Sequence, residues 1–344
     1  MSQLSDRQKI ILSLIVHEHT RTAQPVGSKS LIDQYNLRIS SATVRNEMNM
    51  LEEMGFLRQP HTSAGRVPTE EGYRFFVGNL VQHTSLPSAT RNTIAHQFYQ
   101  SRQDVEQWLK LAASVLANQS QAASLVTAPH ADKTIFKHLE LIAARGHQVL
   151  MVLVLMGGEI RQQFITLAEA VSQERLSEVA NRISHQCTRC DIDDIARLRP
   201  QFDALGQDII DILLAEMTLI EESVTGEIYL DGMAYVLSEP EFAESDEARQ
   251  ALHILEESSL LENLLASTMM NTDVGGIQVL IGGEGTWEEL RQCSVILARY
   301  GDPQSLTGSI GVLGPIRMPY DRTISTVQFV ANVLSDLVSE SLVV

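Results

Sequence analysis

Cysteine, long apolar runs and basic charge are all scarce in this sequence. Three cysteines (Cys187, Cys190 and Cys293) in 344 residues cannot supply a disulfide framework. No run of roughly 18 or more apolar residues occurs, so no membrane-spanning helix is expected. The longest strongly apolar stretch, Val149 to Met156, has the length of a strand. The N-terminus shows no apolar core ending in a small-residue cleavage site, and Asp6 sits among its first polar residues. An export signal is therefore not expected, and cytoplasmic residence is the default. Low-complexity tracts are missing too, and with 44% hydrophobic residues the chain is expected to fold. Two or three domains suit its length, since single cores stop growing near roughly 250–300 residues.

Lysine and arginine number 26 against 43 aspartates and glutamates, a net charge of −17. Read over the whole chain, that balance argues against nucleic acid, because phosphate contact relies on cations. The total hides a split. Residues 1–80 carry nine basic and eight acidic side chains, a net of +1, whereas the remaining 264 residues carry 17 and 35, a net of −18. From Asp208 to Glu262 there are 15 acidic residues and one basic residue, Arg249. That stretch reads as a solvated acidic face or a site for a basic partner.

Ser5, ahead of Ile10, Ile11, Leu14 and Ile15 at helical spacing, predicts a capped first helix. A Pro-Val-Gly turn comes next, and Ser28 caps a short second helix bearing Leu31 and Ile32 that stops near Asn36. Ser40-Ser41 opens a third helix reaching Met54, closed by Gly55. Val44, Met48 and Leu51 form its buried stripe, which leaves Ala42, Asn46, Asn49 and Glu53 opposite, flanked by Thr43 and Arg45. Asparagine can pair two hydrogen bonds with adenine, arginine can do so with guanine, and serine or threonine can reach phosphate or base. Phe56-Leu57-Arg58 reads as a strand, residues 59–66 as a polar tip and Val67 as the start of a return strand. Thr69 caps a fourth helix with Glu70 and Glu71 in its first turn.

This pattern predicts a winged helix-turn-helix. Its DNA-facing residues would be Ser40, Ser41, Thr43, Arg45, Asn46 and Asn49 on the helix, with His61, Thr62, Ser63 and Arg66 on the wing. Arg66 is expected to meet backbone phosphate or the minor groove. Three short helices with a hairpin also form scaffold and protein-binding domains, so the pattern by itself leaves both open. The run from Ser40 to Arg74, SSATVRNEMNMLEEMGFLRQPHTSAGRVPTEEGYR, resembles the signature of the heat-inducible transcription repressor HrcA family.

Residues 88–128 are helical in pattern and read as a helical linker between the DNA reader and the C-terminal portion of the chain. Strands are expected at Thr134–Ala144, Gln148–Met156 and Ile160–Thr166, with a tight Gly157-Gly158 hairpin between the last two. Helices are expected at Ser172–His185 and Phe202–Glu222, then strands at Gly226–Leu237, Ile277–Ile281, Cys293–Arg299 and Ser309–Leu313, and a final helix at Ile324–Leu342. Strands on both sides of a helical block suggest one α/β domain carrying an insertion. Tyr235–Phe242, Val279–Glu284 and Gly311–Tyr320 are similar to later motifs of the same family.

The resemblance implies an α+β multidomain chain. A winged helix-turn-helix at 1–80 and the linker at 88–128 lead into a GAF-like α/β domain at 129–344, interrupted at about 168–223 by an inserted dimerisation domain. It also implies a homodimer on an inverted-repeat, double-stranded DNA operator upstream of chaperone operons. Chaperonin would help the repressor reach its active fold, and heat, by diverting chaperonin, would relieve repression. Dimerisation is expected from the C-terminal portion, since no leucine-zipper heptads appear. One departure is visible: the family commonly has Asn after the Ile-Gly-x-Glu motif, where this chain has Gly285. The rival reading is a winged-helix regulator whose GAF-like domain senses a small molecule.

Other chemistry finds little support. Gly282–Gly285 lacks the Gly-Lys-Ser/Thr ending of a phosphate loop. His185, Cys187, Cys190 and Asp191 crowd together, but no second Cys or His pair stands at zinc-finger spacing. His17 and His19 flank Glu18 near the end of the first helix, where solvation or the helix dipole accounts for them. No Gly-x-Ser-x-Gly elbow is present. Catalytic, cofactor-binding and metal-binding residues are therefore not expected, and the chain is not read as an enzyme.

Overall fold

Side-chain caps begin most of the helices. The computed structural model describes residues 4–61, 64–81, 86–100, 104–130, 134–156, 159–222, 227–244, 257–269, 272–285, 287, 290–303 and 305–341. The N-terminal segment holds α1 (Asp6–Thr22), α2 (Ser28–Tyr35), α3 (Ser41–Glu53), β1 (Leu57–Arg58), β2 (Val67–Pro68) and α4 (Glu70–Asn79). Next come α5 (Ser88–Gln100), α6 (Val105–Ser120), β3 (Ala123–Thr127), β4 (Phe136–Ala143), β5 (Gln148–Leu155) and β6 (Ile160–Thr166). Beyond them lie α7 (Gln173–Cys187), α8 (Ile192–Leu198), α9 (Ala204–Glu222), β7 (Ile228–Asp231), α10 (Met233–Leu237) and α11 (Pro240–Glu244). The remainder is α12 (Ser258–Met269), β8 (Ile277–Ile281), β9 (Cys293–Gly301), β10 (Thr307–Pro315) and α13 (Tyr320–Ser341).

The architecture is mixed α/β, and contacts divide it into two units. One comprises residues 1–128, 227–300 and 309–341, the other 129–226, 301–308 and 342–344. In the first, a five-stranded sheet runs in the order β7-β3-β10-β9-β8. Leu125, Val295, Leu297 and Leu313 on one face pack against Val236, Phe242, Leu261 and Leu265 from α10, α11 and α12. β3 and β10 are buried nearly throughout, and α6, packed on β3, β7 and α13, supplies Trp108, Leu109 and Leu116 to the core.

Two expected boundaries differ. Residues 88–128 are not simply a helical linker: Ala123–Thr127 is an interior strand, fully buried and paired on both sides by β7 and β10. The strands expected to join the GAF-like sheet at 134–166 instead form their own antiparallel sheet, β4-β5-β6. The second unit thus begins near 129 rather than 168, because Leu139, Leu141, Met151 and Leu153 bury one sheet face against Leu176, Ile183, Ile209 and Leu213 of α7 and α9. The strand expected over 226–237 stops at Asp231, where its Oδ1 accepts the Gly232 N–H at 2.6 Å and α10 begins. The expected Gly157-Gly158 hairpin lies outside the described residues.

Alternation along β4, β5 and β6 puts a second apolar set on the opposite sheet face. Ile142, Leu150 and Phe164 align in one cross-strand row, and Val154 and Ile160 in another. Phe164 is 66% exposed and Ile160 57%.

Within the first unit, α1 and α4 meet the sheet through a polar junction. The Arg317 side chain, 10% exposed, pairs with Glu239 and with Glu241 (Nε to Oε1, 2.5 Å), and Nη1 donates to the Thr20 carbonyl of α1 at 3.3 Å. Arg74 of α4 donates to Glu284 and Glu70 at 3.2 and 3.1 Å and to the Ile281 carbonyl at 3.0 Å. Between these two arginines, buried Tyr73 lies against Tyr320, their ring centroids 5.9 Å apart. The Tyr73 hydroxyl is 2.7 Å from His19 Nδ1. Burial, reinforced by Arg317, lowers the His19 pKa to about 4.

His19 is neutral in the folded protein, while the same side chain titrates at 6.5 once unfolded. The stability it contributes is complete above pH 6.5 and is lost as pH falls toward 4, on the order of 2–3 kcal/mol over the window. His19→Gln should therefore lose less stability than wild type between pH 6.5 and 4.5, as read from urea midpoints across that range.

Candidate nucleic-acid interface

The third helix is set by its ends. Ser40 Oγ accepts the Thr43 N–H at 3.1 Å, and its hydroxyl lies 2.9 Å from Thr43 Oγ1. At the other end Gly55 N–H bonds to the Glu52 carbonyl and Phe56 N–H to the Leu51 carbonyl, both at 2.9 Å, the double closure of a Schellman motif. Val44, Met48 and Leu51 are buried against α1 and α2. The face turned away carries exposed Ser41, Ala42, Arg45, Asn46 and Asn49. Arg45 and Asn46 have no side-chain partner among the described residues, so both present their full donor and acceptor sets to solvent.

The hairpin beside α3 pairs Leu57 with Pro68 and Arg58 with Val67. Val26 adds a third rung: its N–H and carbonyl exchange bonds with Arg66 at 2.8 and 2.9 Å. Gly65 permits this approach, since a Cβ there would stand 2.4 Å from the Val26 carbonyl. Gln59 bridges the hairpin to the helix, its N–H donating to Glu52 Oε1 at 3.1 Å and its Nε2 to the Ala64 carbonyl at 3.0 Å. His61 is exposed at the near side of the tip, and the expected tip residues Thr62 and Ser63 lie outside the described residues.

Arg66 was expected to reach outward. In the structure its guanidinium turns back onto α3, donating to Asn49 Oδ1 at 2.9 Å and lying 2.8 Å from Glu52 Oε2, with the side chain 14% exposed. A guanidinium only donates, so the Asn49 oxygen must face it and the amide nitrogen faces out. Asn49 then turns its amide donors outward, whereas Asn46 is free to donate and accept. Glu52 and Gln59, which build this brace, were missed from sequence, because nothing local pairs a helix carboxylate with an arginine 14 residues later.

Pairing also decides how much positive charge is available. Of the nine cations in residues 1–80, Arg7, Lys9, Arg21, Arg66 and Arg74 are held by carboxylates. Lys29, Arg38, Arg45 and Arg58 are exposed and have no ion-pair partner among the described residues. Glu18, buried at 6% exposure, is spent inside the segment, bonding Arg21 at 2.6 Å and Gln34 at 2.7 Å.

The remaining sequence features resolve into structural roles. Cys187 is buried and its thiol is pushed up to about 11 by burial, with Cys190 nearby, so neither behaves as a ready thiolate. Among the described residues no three His, Cys, Asp or Glu side chains gather as a metal site. His17 packs edge-on to Phe76 at 5.3 Å. A cavity of about 390 Å³ between α5 and α6 is lined by Thr93, Ile94, Gln97, Leu111, Ser114 and Asn118, a mixed surface with no charged group in that set. No helix among the described residues is long and apolar enough to cross a membrane.

Comparison with known proteins gives the chain its class. Residues 106–324 match the family described as HrcA protein C terminal domain. A heat-inducible transcription repressor HrcA of Roseiflexus castenholzii is 42% identical over 347 residues, covering 98% of this chain and 96% of the relative. That of Herpetosiphon aurantiacus is 41% identical, with the same shares covered. A crystal structure of a hypothetical protein at 2.2 Å resolution shares the fold, with a TM-score of 0.62 at 23% identity, covering 98% of this chain and 99% of that one. By kinship, then, this is a transcription repressor. The chain belongs to the HrcA family of heat-inducible transcription repressors.

Because Ser40 caps α3, Ser40→Ala should lower stability by about 1 kcal/mol. A shift of that size in the urea midpoint, with an unchanged slope, is the expected reading.

Proposed function

We propose that the N-terminal segment is a winged helix-turn-helix, that α3 enters the major groove of an inverted-repeat operator, and that the chain represses as a homodimer. The observation that carries this reading is the exposed α3 face, where Arg45 and Asn46 stand unpaired beside Asn49, whose orientation is fixed. Asn46 can hold adenine by two bonds, while Asn49, with its amide donors outward, suits an acceptor such as guanine O6 or N7. Ser41, and the Ser40 and Thr43 hydroxyls at the helix start, are placed for phosphate. His61, Thr62 and Ser63 are assigned to the wing contact; Arg66 holds the wing to the helix.

Four unpaired cations per segment neutralise few phosphates, so one copy binds a half-site weakly. Two copies on a two-fold repeat add their free energies. The apolar row of exposed Ile142, half-buried Leu150 and exposed Phe164 supports pairing of the inserted sheet with a second copy. The five-stranded sheet with helices on its faces supports the GAF-like reading of the rest of the chain. Chaperone operons as targets, assistance by chaperonin and action in the cytoplasm rest on the family resemblance, and the relatives' description as heat-inducible supports relief of repression on heating.

Footprinting of the full-length protein on a chaperone promoter, with and without chaperonin, tests the reading. A two-fold protected repeat, strengthened by chaperonin, is expected; no protection in either condition sinks it. Asn46→Ala should cost roughly 1–3 kcal/mol per half-site and relax one base position, whereas Arg45→Ala should reduce the salt slope by about 1 per bound copy. Binding titrations on operator variants at several salt concentrations separate the two. Phe164→Asp should convert the dimer to monomer in sedimentation velocity while thermal unfolding stays cooperative.

A further inference from the structure

The four stretches that carry the family resemblance lie far apart in sequence and meet at one place. Tyr73 and Arg74 end the first, Glu239 and Glu241 sit in the second, Ile281 and Glu284 in the third, and Arg317 and Tyr320 in the fourth. Together they make the junction between the N-terminal segment and the five-stranded sheet. None of these residues lies on the exposed face of α3, and DNA contact gives no reason for their arrangement.

The junction is built for fixed geometry. Arg317 engages two carboxylates and a helix carbonyl at 10% exposure, so its fork is held in direction as well as charge. Arg74 is met by Glu284 and the Ile281 carbonyl from the sheet side and by Glu70 from its own helix. The turn that presents Glu284 holds three successive residues at positive φ, Gly282 at 65°, Gly283 at 70° and Glu284 at 49°. A glutamate in that region is costly unless its surroundings enforce it. Here its Oε1 accepts the Ile281 N–H at 3.1 Å while the carboxylate pairs with Arg74. Gly282 lets the turn close on α4, since a Cβ there would stand 2.5 Å from Glu70 Cδ.

We propose that Glu284, which grips Arg74, and Arg317, which Glu239 and Glu241 hold against the Thr20 carbonyl, are positioning residues that lock the DNA reader onto the sheet and so narrow the half-site spacings the dimer accepts. This rests on the DNA-binding reading of α3. The covalent connection between Asn79 and Ser88 is eight residues long and spans up to ~26 Å when extended. Without the grip, a connection of that length does not fix one pose. With it, the pose of α3 on the five-stranded sheet is held, and the reader itself adds no variation to the separation of two α3 helices in a dimer. Ion pairs held in a fixed fork geometry, as at largely buried Arg317, are weak sources of net stability and can serve unique geometry, which matches this use.

The test is selection of bound duplexes from a random-sequence pool by the full-length protein, comparing wild type with Arg74→Gln and Glu284→Gln. Glu284→Gln is isosteric, keeps an acceptor for the Ile281 N–H and sits at a partly exposed position, so it carries the test even where Arg74→Gln folds poorly. Wild type should return an inverted repeat at a single spacing. The variants should return the same half-site sequence at several spacings, with affinity for the wild-type spacing reduced about tenfold or more as the fixed linkage loosens. A folded variant that keeps the single spacing at wild-type affinity overturns the positioning role and leaves DNA binding intact. Loss of the half-site sequence itself also overturns it, because the junction would then act on base contact. A wild-type protein that selects no repeat overturns both readings.

Discussion

A guanidinium keeps its proton at any physiological pH, so burying Arg317 obliges the fold to surround it with acceptors. The acceptors come from three places: Glu239 and Glu241 beside the sheet, and the Thr20 carbonyl in the first long helix. Leaving any of them out would strand charge in a poorly solvated site, at a cost well above the worth of the completed pair. The position of α1 relative to the sheet follows from that requirement. Tyr73 packs on Tyr320 and bonds neutral His19 of α1, so packing and charge point to the same arrangement.

The same economy of charge shapes the N-terminal segment. Its net of +1 hides nine cations, most of which are consumed internally: Arg21 on buried Glu18, Arg66 on Glu52, Arg74 on the junction. What is left for a polyanion is the small exposed set of Lys29, Arg38, Arg45 and Arg58, in a chain whose remainder is net acidic. On the proposed function, that shortage makes contact per copy weak and paired copies necessary. The structure supplies rigidity at both the Arg66 brace and the junction with the sheet.

Particular elements show why some of this was readable in advance. The starts of α1, α3 and α4 were legible to the residue, because Ser5, Ser40 and Thr69 cap through bonds spanning three positions. The exposed face of α3 was legible from its 3.6-residue period. β3 was not, since Ala123–Thr127 shows no alternation when both faces are buried and its partners β7 and β10 lie about 100 and 190 residues onward. The strands at 136–166 were found with close to their true ends but placed in the wrong sheet, because alternation tells which side of a strand is apolar and not what covers it. Arg66 was seen as a wing cation, while its inward turn depends on Glu52 across the hairpin.

Short-range chemistry in this chain therefore sufficed for the N-terminal helices and their caps, the outward face of α3 and the charge contrast between its parts, but not for α8, α10, α11 or α12. Which strands share a sheet, where the second unit begins, which cations remain free and how the N-terminal helices sit on the sheet were decided in three dimensions. Those features depend on contacts between residues separated by tens to hundreds of positions, and a desolvated ion pair or a buried strand has no signature until its distant partner arrives.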